Sequence, residues 1–237
     1  MSARAALVAI EQMIPSFQPV VSLLSGRVIG VEALARWPTV VGVDPAEVFA
    51  LARTRGVVAD IDFACRSAAV KEARSSQFSR DLTLFLNYEP SGIGDLARTE
   101  EHLDALGGDL NVVLEITERG LDSVHDGLRS MVGAARRRGF AIALDDVGAN
   151  PSTLSALSVV EPDIVKLDAR ILRRPRSLRS RRTLRAVRAF VAATGATVLA
   201  EGIESERDRL RAVELGATLG QGWFFGAAVD SSSLGLS

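Results

Sequence analysis

The sequence predicts an α/β chain folded as a (β/α)8 TIM-like barrel with an antiparallel first strand. Two observations carry that expectation. Eight short β-like runs recur along the chain, and helical patterns that often close on glycine lie between them. No low-complexity linker or internal repeat divides the 237 residues, a length that suits one barrel-sized domain. The whole of 1–237 is therefore expected to form a single domain, with the barrel over about 15–228 and a frayed tail over 229–237.

The elements follow in order. FQPVVSL (17–23) and RVIGVEALARW (27–37) flank a Ser-Gly turn and predict a hairpin, which sets one strand against the direction of the rest. PAEVFALARTRG and DFACRSAAVKEARSS predict two helices. LTLFLNY (82–88) and NVVLEIT (111–117) predict the next strands, and GLRSMVGAARRRG the helix after them. FAIALDD (140–146) leads to the helix STLSALSVV, DIVKLD (163–168) to RTLRAVRAFVAATG, and ATVLAE (196–201) to ESERDRLRAVELG. LGQGWFF (219–225) predicts the eighth strand. An open, doubly wound sheet is the alternative, but it usually carries a glycine-rich phosphate loop where this chain has the hairpin turn SLLSGRVIG. The G-x-G of SGIGDLA has no parallel-strand context and reads as a loop.

Bulk composition excludes several function classes. A net charge of −1 gives no global field for nucleic acid or a membrane surface, and no apolar run reaches transmembrane length. The first residues lack the features of a signal peptide, and the single Cys65 supports no disulfide framework, so a reducing cytoplasm is expected. His102 and His125 lack metal-ligand spacing, which disfavours zinc and a Ser-His-Asp triad. Lys71 and Lys166 stand against 26 arginines, so where mere positive charge is wanted this chain uses Arg.

The strand ends collect polar residues: Glu32, Asn87, Glu115, Asp145, Asp146, Lys166, Glu201 and Gln221. In a barrel such ends converge on the face that carries the active site. Five carboxylates gathered there are costly to bury, and one lysine cannot neutralise them. Bound metal answers the excess, and oxygen-only ligands point to Mg²⁺ or Mn²⁺. Adjacent Asp145 and Asp146 would otherwise be an Asp-rich turn before a helix. With two ions about 3.5–4 Å apart, one carboxylate can bridge while its neighbour holds the second ion, the device of in-line phosphodiester hydrolysis. Lys166 suits holding a nucleophilic water or a phosphoryl oxygen, being a compact ammonium in an Arg-biased chain.

The ordered set VEALARW, LFLNYEPSGI, LEITER, LDDVG, DIVKLD, AEGIE and GQGWFF, from about Phe17 to Phe225, resembles the motifs of EAL-domain proteins, the cyclic di-GMP phosphodiesterases. That resemblance implies a barrel with an antiparallel first strand, a homodimer, and Mg²⁺- or Mn²⁺-dependent hydrolysis of cyclic di-GMP to pGpG, with Ca²⁺ inhibitory. It implies that Glu32, Asn87, Glu115 and Asp145 hold one ion, and Asp145, Asp146 and Glu201 the other. Lys166 would position the attacking water, Arg36 would grip a substrate phosphate, and Gln221 would orient solvent. Glu118, Asp168 and Glu204 would be supporting groups, or else solvated carboxylates near helix starts.

Departures from the family pattern concentrate after the fifth strand. DDVGANPSTL stands where many active members read DDFGTGYSSL, so Val147, Ala149, Asn150 and Pro151 are changed. With all the metal ligands kept, a loop with its own packing is expected, Asn150 taking the left-handed conformation of the missing glycine. Thr218 and Ala228 differ from a common Asp and Pro and are peripheral. The nine arginines of 170–188 read as a solvated lid and helix face, with recruitment of an anionic substrate or of nucleic acid as the alternative. Three functions compete: an active phosphodiesterase, a receptor that binds cyclic di-GMP without cleaving it, and a scaffold without nucleotide affinity. Retention of the ligand set favours the first. The regulatory partner is not readable from the sequence.

Overall fold

The computed structural model describes residues 12–37, 44–76, 78, 81–93, 96–117, 121 and 125–234. Eight strands close into a barrel: β1 (Ile14–Ser22), β2 (Val28–Arg36), β3 (Thr83–Tyr88), β4 (Asn111–Ile116), β5 (Ala141–Val147), β6 (Ile164–Leu167), β7 (Thr197–Ala200) and β8 (Leu219–Gly220). β1 runs antiparallel to both its neighbours, β2 and β8, and every other pairing is parallel. The expected hairpin is the cause, since a tight turn with Gly26 at φ 72° returns the chain beside itself. No helix among the described residues is long and apolar enough to cross a membrane.

Around the barrel lie α1 (Pro45–Thr54), α2 (Val58–Ser75), α3 (Leu96–Leu106), α4 (His125–Arg137), α5 (Pro151–Val160), α6 (Ala169–Arg173), α7 (Leu178–Thr194) and α8 (Glu206–Leu215). α7 and α8 stop on Gly195 and Gly216, both left-handed, as the sequence predicts. α3 was not expected. Its buried Thr99, Leu103 and Leu106 follow an i, i+4, i+7 spacing that polar neighbours obscure.

Two further expectations are corrected. The eighth strand covers two residues rather than 219–225, because Gly222 turns the chain at φ 152° and its backbone lies against Ile203 so tightly that an added Cβ would sit 2.2 Å from the Ile203 carbonyl oxygen. The tail expected to fray is held through residue 234: Val229 pairs with Phe17, and Asp230 caps a short 3₁₀ turn at Ser231–Ser233.

Strand alternation builds the site. Val20, Phe85, Val113, Ala143 and Leu199 form one buried cluster, joined by Ile164, whereas Leu84, Leu86, Val112, Leu114, Ile142, Leu144, Val165 and Leu167 pack in the layer shared with the helices. Successive side chains face opposite sides. The residue two places after each inward apolar side chain therefore faces inward one layer higher: Asn87 after Phe85, Glu115 after Val113, Asp145 after Ala143, Lys166 after Ile164, Glu201 after Leu199. Glu32 follows Gly30 in the same way, and Gly30 is small because a Cβ there would lie 2.8 Å from the Phe85 ring.

Candidate active site

Lys166 lies at the centre of the barrel mouth and is almost fully buried. Its Nζ is 2.9 Å from Glu115 Oε1, 2.9 Å from Asp145 Oδ1, 3.2 Å from Glu201 Oε1 and 3.6 Å from Glu32 Oε2. Asn87 Nδ2 donates to Glu32 Oε1 at 2.9 Å, and Gln221 Nε2 donates to Glu32 Oε2 at 2.6 Å. Gln221 Nε2 also reaches Gln18 Oε1 at 3.2 Å.

The electrostatics separate these groups. Burial disfavours the Lys166 ammonium, but Asp145, Glu115, Glu201 and Glu32 outweigh it and hold its pKa well above the ordinary lysine value. Burial, followed by the neighbouring Glu32, pushes Glu115 well above the usual carboxylate range. Burial does the same to Glu201, where Lys166 compensates only in part against Asp145 and Asp146. Glu32 goes the other way. Burial would raise it, but Lys166 and the Asn87 and Gln221 amides together lower it. Distance to Lys166 alone would rank Glu115 as the better stabilised anion; the repulsion of Glu115 by Glu32 and the two amide donors on Glu32 reverse that order.

Asp146 joins the cluster by a different route. From Leu144 to Val147 takes three steps on β5 against two from Val165 to Leu167 on β6, so β5 carries a bulge. Asp146 sits in it at φ 50°. Both aspartates then line one cavity of about 240 Å³ with Asn87, Arg36, Phe49 and Arg66. A second cavity, about 220 Å³, lies across the carboxylates and is lined by Gln18, Glu32, Glu201, Glu204, Gln221 and the exposed Trp223.

Asp168 stands one step behind. It caps α6, and its carboxylate accepts from Arg170 Nε at 2.9 Å, with Asp146 as an electrostatic neighbour. Burial would raise its pKa, but Arg170 outweighs burial and lowers it. Glu204 instead pairs with Arg173 at 2.6 Å on the rim. Arg36 is exposed at the end of β2, donating to its neighbour's carbonyl Ala35 O at 2.9 Å. Glu118 lies outside the described residues.

The altered loop has its own construction. Asn150 is extended (φ −146°) rather than left-handed, which corrects the role expected for it; the left-handed positions are Asp146 and Gly148. Asn150 caps α5 by accepting from Thr153 N at 3.3 Å, and Pro151 occupies the first helical turn, where its missing N–H costs nothing. Thr153 Oγ1 accepts from Gly148 N at 3.0 Å, and Arg179 of α7 donates to Gly148 O at 2.9 Å.

Sequence reasoning missed Gln18, Asp62, Arg66 and Glu89. Because β1 is antiparallel, its mouth residue precedes the inward Val20 instead of following it; Gln18 lies opposite Glu32 in the β1–β2 register. Asp62 and Arg66 were legible as two opposite charges four apart on the apolar face of a helix.

A match to the family model of the EAL domain covers residues 2–228. The chain belongs to the EAL domain family. Among curated relatives, this EAL domain is 31% identical to the cyclic di-GMP phosphodiesterase RocR of Pseudomonas aeruginosa, over 88% of this chain and 55% of RocR. It is 29% identical to the probable cyclic di-GMP phosphodiesterase PdeG of Escherichia coli, over 90% of this chain and 44% of PdeG. The EAL domain thus spans about half the length of these relatives. Among solved structures, the Klebsiella pneumoniae BlrP1 manganese/cy-diGMP complex at pH 9.0 superposes with TM-score 0.79 at 28% identity, over 92% of this chain and 56% of that one. An EAL domain protein from Listeria monocytogenes shares the fold at TM-score 0.80 and 20% identity, over 99% of this chain and 96% of that one.

The donor set of this EAL domain fits hard divalent cations. Its donors are oxygens, its carboxylates outnumber the one ammonium, and Glu115 Oε2 is buried without a hydrogen-bond partner among the described residues. Among those residues no three His, Cys, Asp or Glu side chains already close around one ion position. The Lys166 ammonium sits there among the carboxylates.

Proposed function

We propose that this chain hydrolyses cyclic di-GMP to linear pGpG with Mg²⁺ or Mn²⁺, and that Ca²⁺ inhibits it. The observation that carries the reading is the convergence of four carboxylates from four strands on one buried lysine, between two cavities. The kinship with named cyclic di-GMP phosphodiesterases and the likeness to a manganese/cy-diGMP complex support it.

Bound divalent ions would supply Lewis-acid polarisation of the phosphoryl group and a water acidic enough to attack near neutral pH. Glu32, Asn87, Glu115 and Asp145 would hold one ion, and Asp145, Asp146 and Glu201 the other. Lys166 keeps its proton in the metal-free protein, and its role in the site is that of a donor that orients water or a phosphoryl oxygen. Glu201, 3.2 Å from Nζ, is near enough to share that water with the lysine. Gln221 fixes Glu32 through Nε2, and its Oε1, buried without a hydrogen-bond partner among the described residues, is left to accept from a water of the site. Arg36, exposed at the cavity rim, would hold a non-bridging phosphate oxygen of the substrate. Water oxygen bonds to phosphorus as the P–O3′ bond breaks; one water proton passes to a site carboxylate and the departing O3′ takes a proton from solvent, which opens one side of the ring and leaves a 5′-phosphate and a free 3′-hydroxyl. Ca²⁺, with longer bonds and looser coordination, would misplace the water.

The test is chromatographic separation of products after incubation with cyclic di-GMP and Mn²⁺, Mg²⁺, Ca²⁺ or EDTA. Formation of pGpG with the first two alone is expected. Tight binding of cyclic di-GMP and Mn²⁺ without product over hours would make the chain a receptor instead.

A further inference from the structure

We infer that the buried Asp62–Arg66 pair of α2 is a positioning device, gripping the end of β3 so that Asn87 stays against Glu32. The inference rests on the reading of the site given above.

β2 pairs with β3 only as far as Ala33–Leu86, so Asn87 lies one residue beyond that ladder. On its other side β3 stays paired with β4 through Asn87–Glu115 and Tyr88–Ile116, and where β2 has stopped α2 supplies the support. Arg66 Nη1 pairs with Asp62 Oδ2 and donates to Asn87 O at 3.3 Å. The guanidinium lies 4.3 Å from the centroid of the Tyr88 ring. Asp62 Oδ2 accepts from Glu89 N at 3.1 Å. Three successive residues are thus held by a carbonyl, a ring and an amide from one turn of one helix. The Glu89 carboxylate continues the brace, to Arg53 at 2.8 Å and Ser91 Oγ at 2.7 Å. The held strand end carries the Asn87 amide that donates to Glu32.

Stability does not account for this pair. Asp62 and Arg66 are 4% and 3% exposed, amid Val58, Ile61, Ala69 and Ala73 on the buried face of α2. Apolar residues of similar volume are commonly as stable or more so in such places. Arg66 Nε is also buried without a hydrogen-bond partner among the described residues, a cost that a purely structural residue would shed.

Arg66→Met alone strands a buried carboxylate and can unfold the chain, so the decisive protein is the double variant Asp62→Leu with Arg66→Met. Three readouts are compared with wild type: the Asn87 side-chain amide resonances of the metal-free protein, Mn²⁺ affinity by calorimetry, and kcat and KM. The expected result is a folded double variant whose Asn87 amide loses its distinct environment. Mn²⁺ should bind about 10–100-fold more weakly and kcat fall by a similar factor, with KM little changed. A double variant with wild-type Asn87 resonances and Mn²⁺ affinity overturns the inference, and so does one that cannot fold. If wild type neither binds Mn²⁺ nor cleaves, the proposed function fails, and the Asn87 resonances of the metal-free proteins still decide the role of the pair.

Discussion

Asp145 and Asp146 are consecutive on β5, yet both carboxylates line the same cavity. Regular alternation would send them to opposite faces. The bulge absorbs one residue, the positive φ of Asp146 turns its side chain back toward the mouth, and Val147 regains the outer layer. Adjacent acidic residues thereby become one constellation at the expense of local backbone strain.

That geometry separates two substitutions. Asp146→Asn keeps a residue that tolerates the left-handed region, and Asp146→Ala does not. The alanine variant should be less stable than the asparagine variant by about 1 kcal/mol in denaturant unfolding. Both should lack turnover, as should Asp145→Asn, whose thermal midpoint should hold or rise because one repelling charge is gone. Hydrolysis at near wild-type rate in Asp145→Asn would sink the two-ion assignment.

Lys166→Ala leaves the buried carboxylates without their ammonium. The metal-free variant should lose about 3–5 kcal/mol of stability. Product should disappear while cyclic di-GMP binding largely survives, since the phosphate grip is assigned to Arg36 and bound cations. A variant that still forms pGpG would remove the lysine from the chemical step.

Stability of the metal-free protein should fall as pH rises. Glu115 and Glu201 carry folded pKa values above the ordinary 4.5. In each case the stability is fully present below that value and is lost as pH climbs through the raised one. The slope approaches about 1.4 kcal/mol per pH unit per group. Melting wild type and the Glu115→Gln, Glu201→Gln double variant across pH 4–9 should show the wild-type decline flattened in the variant. Parallel curves would contradict the assignment of those shifts.

Glu161 ends α5 in the left-handed region at φ 46°, where glycine is the usual residue. Glu161→Gly should stabilise the fold by about 0.5–1 kcal/mol, measured by urea unfolding, because relief of strain exceeds the added chain entropy. A loss of stability would mean that the Glu161 side chain matters more than its backbone.

Cys65, in the wall of the first cavity, is pushed up to about 12, chiefly by burial and then by Asp62. At pH 8 it should react with a disulfide reagent on the order of a thousandfold more slowly in the native protein than in urea. Comparable rates in the two states would place the thiol in open solvent.

The linear order of residues determined the strand count, the antiparallel first strand and the inward set Glu32, Asn87, Glu115, Asp145, Lys166 and Glu201. Period-two alternation, read from apolar runs, places each of them one layer above an inward apolar side chain or, for Glu32, above Gly30, and that is local information. Tertiary structure alone decided most of the rest. No local pattern distinguishes an aspartate in a bulge from one in a turn, so the direction of Asp146 waited on the β5–β6 register. The extended cap at Asn150 was local after all, an Asn–Pro helix start closed by Thr153 N, whereas the sharp turn at Gly222 depended on Ile203, distant in sequence. Gln18 entered the site because an antiparallel strand reaches the mouth with its first half. Lys166 was legible as unusual, but the balance of burial against four carboxylates that keeps it charged exists only once four strands bring those carboxylates within 3.6 Å.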